Sequence, residues 1–433
     1  MSLVPLYGGL SDFGYYFADI SIGTPGQRMS VILDTGSEGL SVTCSTCGDR
    51  CGTKHMDPFY NPAASTTFVD ENQCFSRHSI RAPICTYEKK YLEGSSLTGR
   101  FATDTVAIGT VKKQIQFGCI ESETKLFLEQ RANGILGLAP TAKTALFTQG
   151  EEITGFSVCL SSEGGDLQFL STKDLMVDAK NIPLKYVDNH YVVEPSQVVV
   201  DGTTEPDGSS ILGDQVLFDT GSTVTYLNDE FFRKISKTVS ERAKQAGLQL
   251  DYIANRDPTL CWVSSRESSA SNFTLSDFTH LLPKIIFSFT SDDNSQVSLS
   301  FHDYAFADVN NRFCLRIASN GSLRRTDLGA PFMIGKKIVF TPKLGKVWFI
   351  DAANCTERRI EDREPVVAVP GQLTATINSS PSSNVTEFFV VFIFLLLITA
   401  SVLIYIVRKS VYLPAQHKEL KEFEIGSPNS QLE

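Results

Sequence analysis

The sequence predicts a mainly β protein of two similar lobes, with one transmembrane helix near the C-terminus. Three observations carry this. An apolar run ending in Asp-Thr-Gly-Ser occurs twice, as Val31-Ile32-Leu33-Asp34-Thr35-Gly36-Ser37 and as Val216-Leu217-Phe218-Asp219-Thr220-Gly221-Ser222, and such a recurrence marks an internal duplication. Most of the remaining chain consists of short β-branched or aromatic runs bounded by Gly, Pro, Asn and Asp. Residues 388–407, FFVVFIFLLLITASVLIYIV, carry no charge over twenty positions, the length of helix that crosses a bilayer.

Strands are expected over 15–22, 30–33, 99–108, 115–119, 158–160, 191–200, 285–289 and 346–350. A second echo supports the duplication: Gly134-Ile135-Leu136-Gly137 follows the first motif and Phe332-Met333-Ile334-Gly335 the second. Helical periodicity is clear only over 229–246, where Phe231, Phe232, Ile235 and Val239 share a face and Asn228 or Asp229 caps the start. A short helical turn is expected over 274–282. These elements divide the chain into a first lobe, 12–180, and a second, 181–355. A polar stalk follows, 356–387, opening with ERRIEDREP as solvent-facing charge; then come the span 388–407 and a polar tail, 408–433.

The 433 residues carry a net charge of -10 without a basic block, which argues against a nucleic-acid partner. Ten cysteines, Cys44, Cys47, Cys51, Cys74, Cys85, Cys119, Cys159, Cys261, Cys314 and Cys355, are even in number and widely spread, as disulfides of an oxidising compartment are. Zinc at Cys44, Cys47 and Cys51 lacks a second ligand pair at compact spacing, so no metal is expected; His55, close by, reads as a surface residue. Glu387 precedes the apolar span and Arg408 and Lys409 follow it. The positive-inside rule then places the large part outside the cytosol, the tail inside it, and a lipid bilayer among the partners. The sequons at Asn272, Asn320, Asn354, Asn378 and Asn384 all lie on the outer side. The N-terminus has no signal-peptide pattern, so a signal, and with it a pro-segment, is expected upstream of Met1.

Asp34 and Asp219 are the candidate catalytic pair. Each ends an apolar strand; Gly36 and Gly221 allow close approach, and the hydroxyls of Thr35, Ser37, Thr220 and Ser222 are available to donate to the carboxylates. Two carboxylates brought face to face cannot both ionise easily and share a proton. The ionised partner takes a proton from a water held between them while the protonated one donates to a carbonyl oxygen, which is hydrolysis by general acid–base chemistry with no cofactor beyond the water. Both carboxylates come from one chain, so a monomer suffices. The six histidines show no metal or triad spacing, and no GxSxG, HExxH or P-loop competes.

On these residues the chain resembles the pepsin-like aspartic proteases across 15–355. The resemblance implies a two-lobed β fold, polypeptide substrates in a cleft between the lobes, and a hairpin flap at about 87–100. Tyr91 matches the flap tyrosine, and Gly94 and Ser95 form its turn. Ser41 stands where most of the family has tryptophan. The cysteine-rich stretch 44–85 is similar to the insert of the nepenthesin group. Family pattern implies Cys44 with Cys119, Cys159 with Cys355 and Cys261 with Cys314, and the remaining four are expected to pair as Cys47–Cys85 and Cys51–Cys74. Within the family the chain is most similar to the plasmepsin V group, by DTGSxxLS, by the segment ending at His55-Met56-Asp57-Pro58-Phe59, by Glu93-Gly94-Ser95, by Leu126-Phe127-Leu128-Glu129-Gln130 and by the apolar C-terminal segment. That likeness implies processing of secretory or exported proteins in the endoplasmic reticulum at an Arg-x-Leu motif, with Glu93 pairing with the substrate arginine and Gln130 a second contact. The chain departs from that group at Leu92, where the group has a cysteine, and at the second DTGS, where it has DSG. A broad-specificity, membrane-anchored aspartic protease and an inactive binding ectodomain are the alternatives.

Overall fold

The computed structural model describes residues 3–71, 86–91, 94–140, 153–174, 181–206, 211–213, 215–251, 260–264, 273–301, 304–307, 312–321, 323–350 and 354–364, all inside one compact unit, Met1–Thr374. The fold is mainly β and bilobal. A long sheet runs Leu3–Gly9, Tyr15–Ile22, Gln27–Asp34, Gly134–Leu138, Glu38–Thr43, Val111–Glu123, Ser96–Ile108 on one side. On the other it continues through Gly165–Leu170, Gly155–Leu160, Lys337–Thr341 and Lys346–Ile350. Strands from both halves of the chain therefore share one sheet, joined where Phe156 faces Phe340. A six-stranded sheet in the second half has the order Lys185–Val187, His190–Val193, Gln215–Asp219, Arg325–Gly329, Thr225–Leu227, Ile317–Ser319.

The two aspartate strands explain their own sequences. Gln27–Asp34 pairs in parallel with Gly134–Leu138, and Gln215–Asp219 in parallel with Arg325–Gly329. Strands covered on both faces read as continuous apolar runs and not as alternating ones, and Val31, Leu33, Leu136, Leu138, Val216, Phe218 and Leu328 are all buried. Phe218 packs against Phe340 and Phe349, and each such ring contributes about 1.5–3 kcal/mol on burial. The register corrects the second echo. Asp34 pairs with Gly137, and Asp219 pairs with Gly329, so the counterpart of Gly134–Gly137 is Thr326–Gly329. Phe332 and Met333 belong instead to a short helix, Ala330–Met333.

The long helix is Asp229–Gln245, with the Asn228 side chain accepting from the Glu230 N–H at 3.1 Å and Phe231, Ile235, Val239 and Ala243 buried in one stripe. The shorter one, Leu275–Thr279, is opened by Thr274 and Asp277 in a reciprocal capping box.

The transmembrane helix expected over 388–407 must be corrected, and with it the lipid-bilayer partner and the single-pass, lumenal location. Among the described residues no helix is long and apolar enough to cross a membrane. The longest one has 17 residues and is apolar along one stripe only, its other face bearing Arg233, Lys237, Glu241 and Lys244. Residues 388–407 themselves lie outside the described residues, and an uncharged run of the right length is a statement about composition, not about a helix.

Three pairings hold as the family pattern implied: Cys44–Cys119, Cys159–Cys355 and Cys261–Cys314. The assignment of Cys47 to Cys85 and Cys51 to Cys74 is wrong for Cys47 and Cys51, which bond to each other. The tight turns over Ser45–Arg50 bring their Cα atoms to 5.8 Å, within disulfide reach. Cys74 and Cys85 lie outside the described residues. ERRIEDREP is not simply solvent-facing: Arg358 donates to Asp166 at 2.7 Å, and Arg363, almost fully buried, bridges Asp19 and Asp57 at 2.6 Å each. This segment straps the end of the second half onto the first.

Candidate active site

The two DTGS loops meet at the junction of the lobes and hold each other. The Thr35 N–H donates to Thr220 Oγ1 at 3.0 Å and the Thr220 N–H to Thr35 Oγ1 at 2.9 Å. In turn, Thr35 Oγ1 donates to the Phe218 carbonyl at 2.9 Å and Thr220 Oγ1 to the Leu33 carbonyl at 2.8 Å. Four buried backbone groups of two distant segments are thereby satisfied reciprocally, and each hydroxyl is both donor and acceptor. The threonines thus grip the opposite loop, which corrects the expectation that their hydroxyls donate to the carboxylates.

That grip sets Asp34 against Asp219. A Cβ added to Gly36 would stand 2.6 Å from Asp219 Oδ1, and one added to Gly221 would stand 2.6 Å from Asp34 Oδ1; only glycine leaves that space. Each carboxylate accepts from the glycine two residues on, Gly36 N to Asp34 Oδ1 and Gly221 N to Asp219 Oδ1, both at 2.9 Å. The serines break the symmetry. Ser37 Oγ donates to Asp34 Oδ2, whereas Ser222 Oγ donates to the Val224 carbonyl at 2.7 Å. Burial, then the charge of Asp34, pushes the Asp219 carboxyl well above the usual carboxylate range, and the Gly221 N–H opposes this; a side-chain hydrogen bond to Asp34 and the charge of Asp327 add to the rise. Two carboxyl groups set this close do not both ionise readily.

Over the first loop stands the hairpin of Thr86–Lys90 and Ser96–Ile108, paired Lys90 with Ser96. Its tip is closed by Tyr91 N to Ser95 O and Gly94 N to Tyr91 O, both 2.9 Å, and Gly94 takes the left-handed φ of 86° that such a turn needs. The Tyr91 ring lies edge-on to Phe127 at 5.1 Å. Gln130 follows the turn Lys125–Leu128, its side-chain amide donating to the Ala132 carbonyl at 3.4 Å. Glu93 lies outside the described residues.

Three side chains that the sequence did not single out for the site are near it. Tyr87 packs over Gly118 and edge-on to Phe101. Its hydroxyl is pushed up to about 12 by burial, a hydrogen bond with Ser41 opposing and the charges of Glu38 and Asp34 assisting. His190 and Asp327 flank the Asp219 strand, and nothing in the short polar run Arg325-Thr326-Asp327 singles out Asp327. Burial, then the charge of Arg325, pulls His190 below its ordinary value, while Asp327, Asp34 and Asp188 act the other way. His55 is no surface residue. Buried, it faces the Ala132 carbonyl at 2.8 Å and Glu123 at 3.1 Å. Asn320, read as a glycan acceptor, turns its amide inward to the Arg325 carbonyl at 3.2 Å.

A profile of the eukaryotic aspartyl protease family matches residues 15–349. The chain belongs to that family. The domain it carries is an aspartic endopeptidase. Aspartic protease 5 of Toxoplasma gondii is 26% identical over 395 residues, 83% of this chain and 38% of that protein. Plasmepsin V of Plasmodium falciparum is 36% identical over 179 residues, 37% of this chain and 30% of that protein. Nepenthesin-1, an aspartic proteinase of Nepenthes gracilis, is 23% identical over 356 residues, 75% of this chain and 77% of that one. The chain thus spans well under half the length of the first two relatives, 38% and 30%.

Proposed function

We propose that Asp34 and Asp219 are the catalytic pair of this endopeptidase, hydrolysing a peptide bond with a water held between them. The observation that supports this best is the reciprocal threonine grip, which leaves each glycine no room for a side chain and sets the carboxyl groups against each other. The ionised carboxylate takes a proton from the water as oxygen attacks the carbonyl carbon. The protonated carboxyl donates to the carbonyl oxygen, and the resulting tetrahedral diol collapses with protonation of the departing nitrogen. Tyr91, at the hairpin tip, and Gln130, after the turn Lys125–Leu128, contact substrate.

We further propose selectivity for an Arg-x-Leu motif in secretory or exported proteins, supported by the likeness to plasmepsin V and by the sequence Glu93-Gly94-Ser95. A carboxylate there gives bidentate pairing with guanidinium. The test uses the purified chain and a peptide series. Asp34→Asn and Asp219→Asn should each reduce cleavage by at least about 10³-fold; cleavage surviving either change sinks the pair. Replacing the substrate arginine by alanine should slow cleavage markedly, and less so in Glu93→Ala. Equal cleavage of both peptides by the unaltered enzyme removes the selectivity and leaves the pair intact.

A further inference from the structure

A charge lies where a sheet interior normally carries apolar groups. Arg325–Gly329 is an inner strand of the six-stranded sheet, directly beside Gln215–Asp219. Asp327 sits in its middle, paired with Leu217 on one side and Tyr226 on the other, and is only 6% exposed. Its register partner Leu217 precedes Asp219 by two residues, about 7 Å along a strand. A buried carboxylate is retained only where partners offset its lost hydration. Here Arg325 supplies Nη2 to Oδ2 at 3.1 Å and Nε against Oδ1 at 3.0 Å, and Asn320 Nδ2 reaches Oδ2 at 3.4 Å.

We infer that Asp327, buried in the strand beside that of Asp219 and held there by Arg325 and Asn320, is a positioning residue for the catalytic pair, acting through its charge on the proton that Asp34 and Asp219 share. The inference rests on the Asp34–Asp219 reading above. The groups that face Asp327 are Arg325 on its own strand, Asn320 from the following turn of the sheet edge, Tyr226 and Leu217 as register partners, and Asp219 and His190 from the two strands on the other side. Asp327 raises both Asp219 and His190, as a negative charge does in a poorly screened interior. Its own carboxyl is raised by burial, with Arg325 opposing. Asp327 therefore loses its charge as the medium turns acid, and its influence is confined to the alkaline side of the activity profile.

The experiment is the pH profile of kcat/KM for the purified chain with Asp327→Asn, which keeps size and hydrogen-bonding capacity while deleting charge. The alkaline limb should move to lower pH by about half a unit or more, with the acid limb in place and activity at the optimum within a few-fold. Asp292→Asn, which deletes a surface carboxylate paired with Lys346, should move neither limb. Titration with a tight-binding transition-state analogue counts folded active sites, so a loss of folded protein lowers amplitude and not the midpoint. An unmoved alkaline limb, or one moved equally by Asp292→Asn, overturns the inference. Asp34→Asn, run alongside, must be inactive; if it cleaves, the reading of the pair falls and this inference with it.

Discussion

The two DTGS loops share their hydrogen-bond pattern and differ in their surroundings. In both, a buried parallel strand ends in aspartate, a threonine crosses to the other loop, and a glycine N–H returns to the carboxylate. Around Asp34 there is a donating hydroxyl, Ser37, and Tyr87, on which the charges of Glu38 and Asp34 both act. Beside Asp219, Ser222 turns away to Val224, and the buried Asp327–Arg325 ion pair and His190 flank its strand. Duplication has kept the features that bring two carboxylates together and released those that make them equivalent. If Asp34 and Asp219 are the catalytic pair proposed above, unequal surroundings suit carboxyl groups that serve as acid and base at once.

The grip is the part where the halves should behave alike, and it offers the largest effect. Thr35→Val and Thr220→Val each orphan a backbone N–H and a carbonyl in a dry setting, at about 1–3 kcal/mol for each group. Urea unfolding should show similar losses for both, and kcat/KM should fall by about 10²-fold as the carboxylates shift. Because both hydroxyls serve one network, the double variant should cost less than the two singles together. A much larger loss for Thr35→Val than for Thr220→Val would show that the grip is as asymmetric as its surroundings.

The parts that recur locally were the legible ones. DTGS, the apolar strands before it and the Asn228-capped helix are contiguous in sequence, so spacing alone located them. Partners set by long-range pairing were not. Phe332–Gly335 looks like Gly134–Gly137 in letters, yet strand register gives that place to Thr326–Gly329, where Asp327 breaks the apolar pattern. His190 and Asp327 are 137 residues apart in the chain and come to flank the strand of Asp219 only through long-range pairing. The Cys47–Cys51 bond follows from a pair of tight turns that the letters TCSTCGDRCG do not specify. Arg358 and Arg363 read as solvated charge because their acidic partners, Asp166, Asp19 and Asp57, are remote in sequence.

The serines sharpen the comparison at moderate scale. Ser37→Ala removes a hydroxyl that donates to Asp34, and hydrogen bonds to charged groups contribute about 1.5–3 kcal/mol. A fall in kcat of roughly 10-fold is expected on that basis. Ser222→Ala breaks only a local turn bond to Val224 and should change kcat less than about two-fold. Comparable losses from the two would mean that Ser222 turns to Asp219 when substrate is bound.

The smallest effect concerns stability. The Asp219 carboxyl is raised well above the ordinary carboxylate range by burial and by Asp34, so between the unfolded value and that higher folded value the native state holds a proton the unfolded chain has released. Stability then declines as pH rises through that interval and levels off above it. Asp219→Asn keeps an acceptor for the Gly221 N–H and removes the ionisation. The variant should melt higher than the unaltered chain at neutral pH, and the advantage should shrink towards pH 4, where Asp219 is protonated in the native state and, increasingly, in the unfolded one. A constant difference in melting temperature across that range would mean that burial of Asp219 as an ion has no part in it.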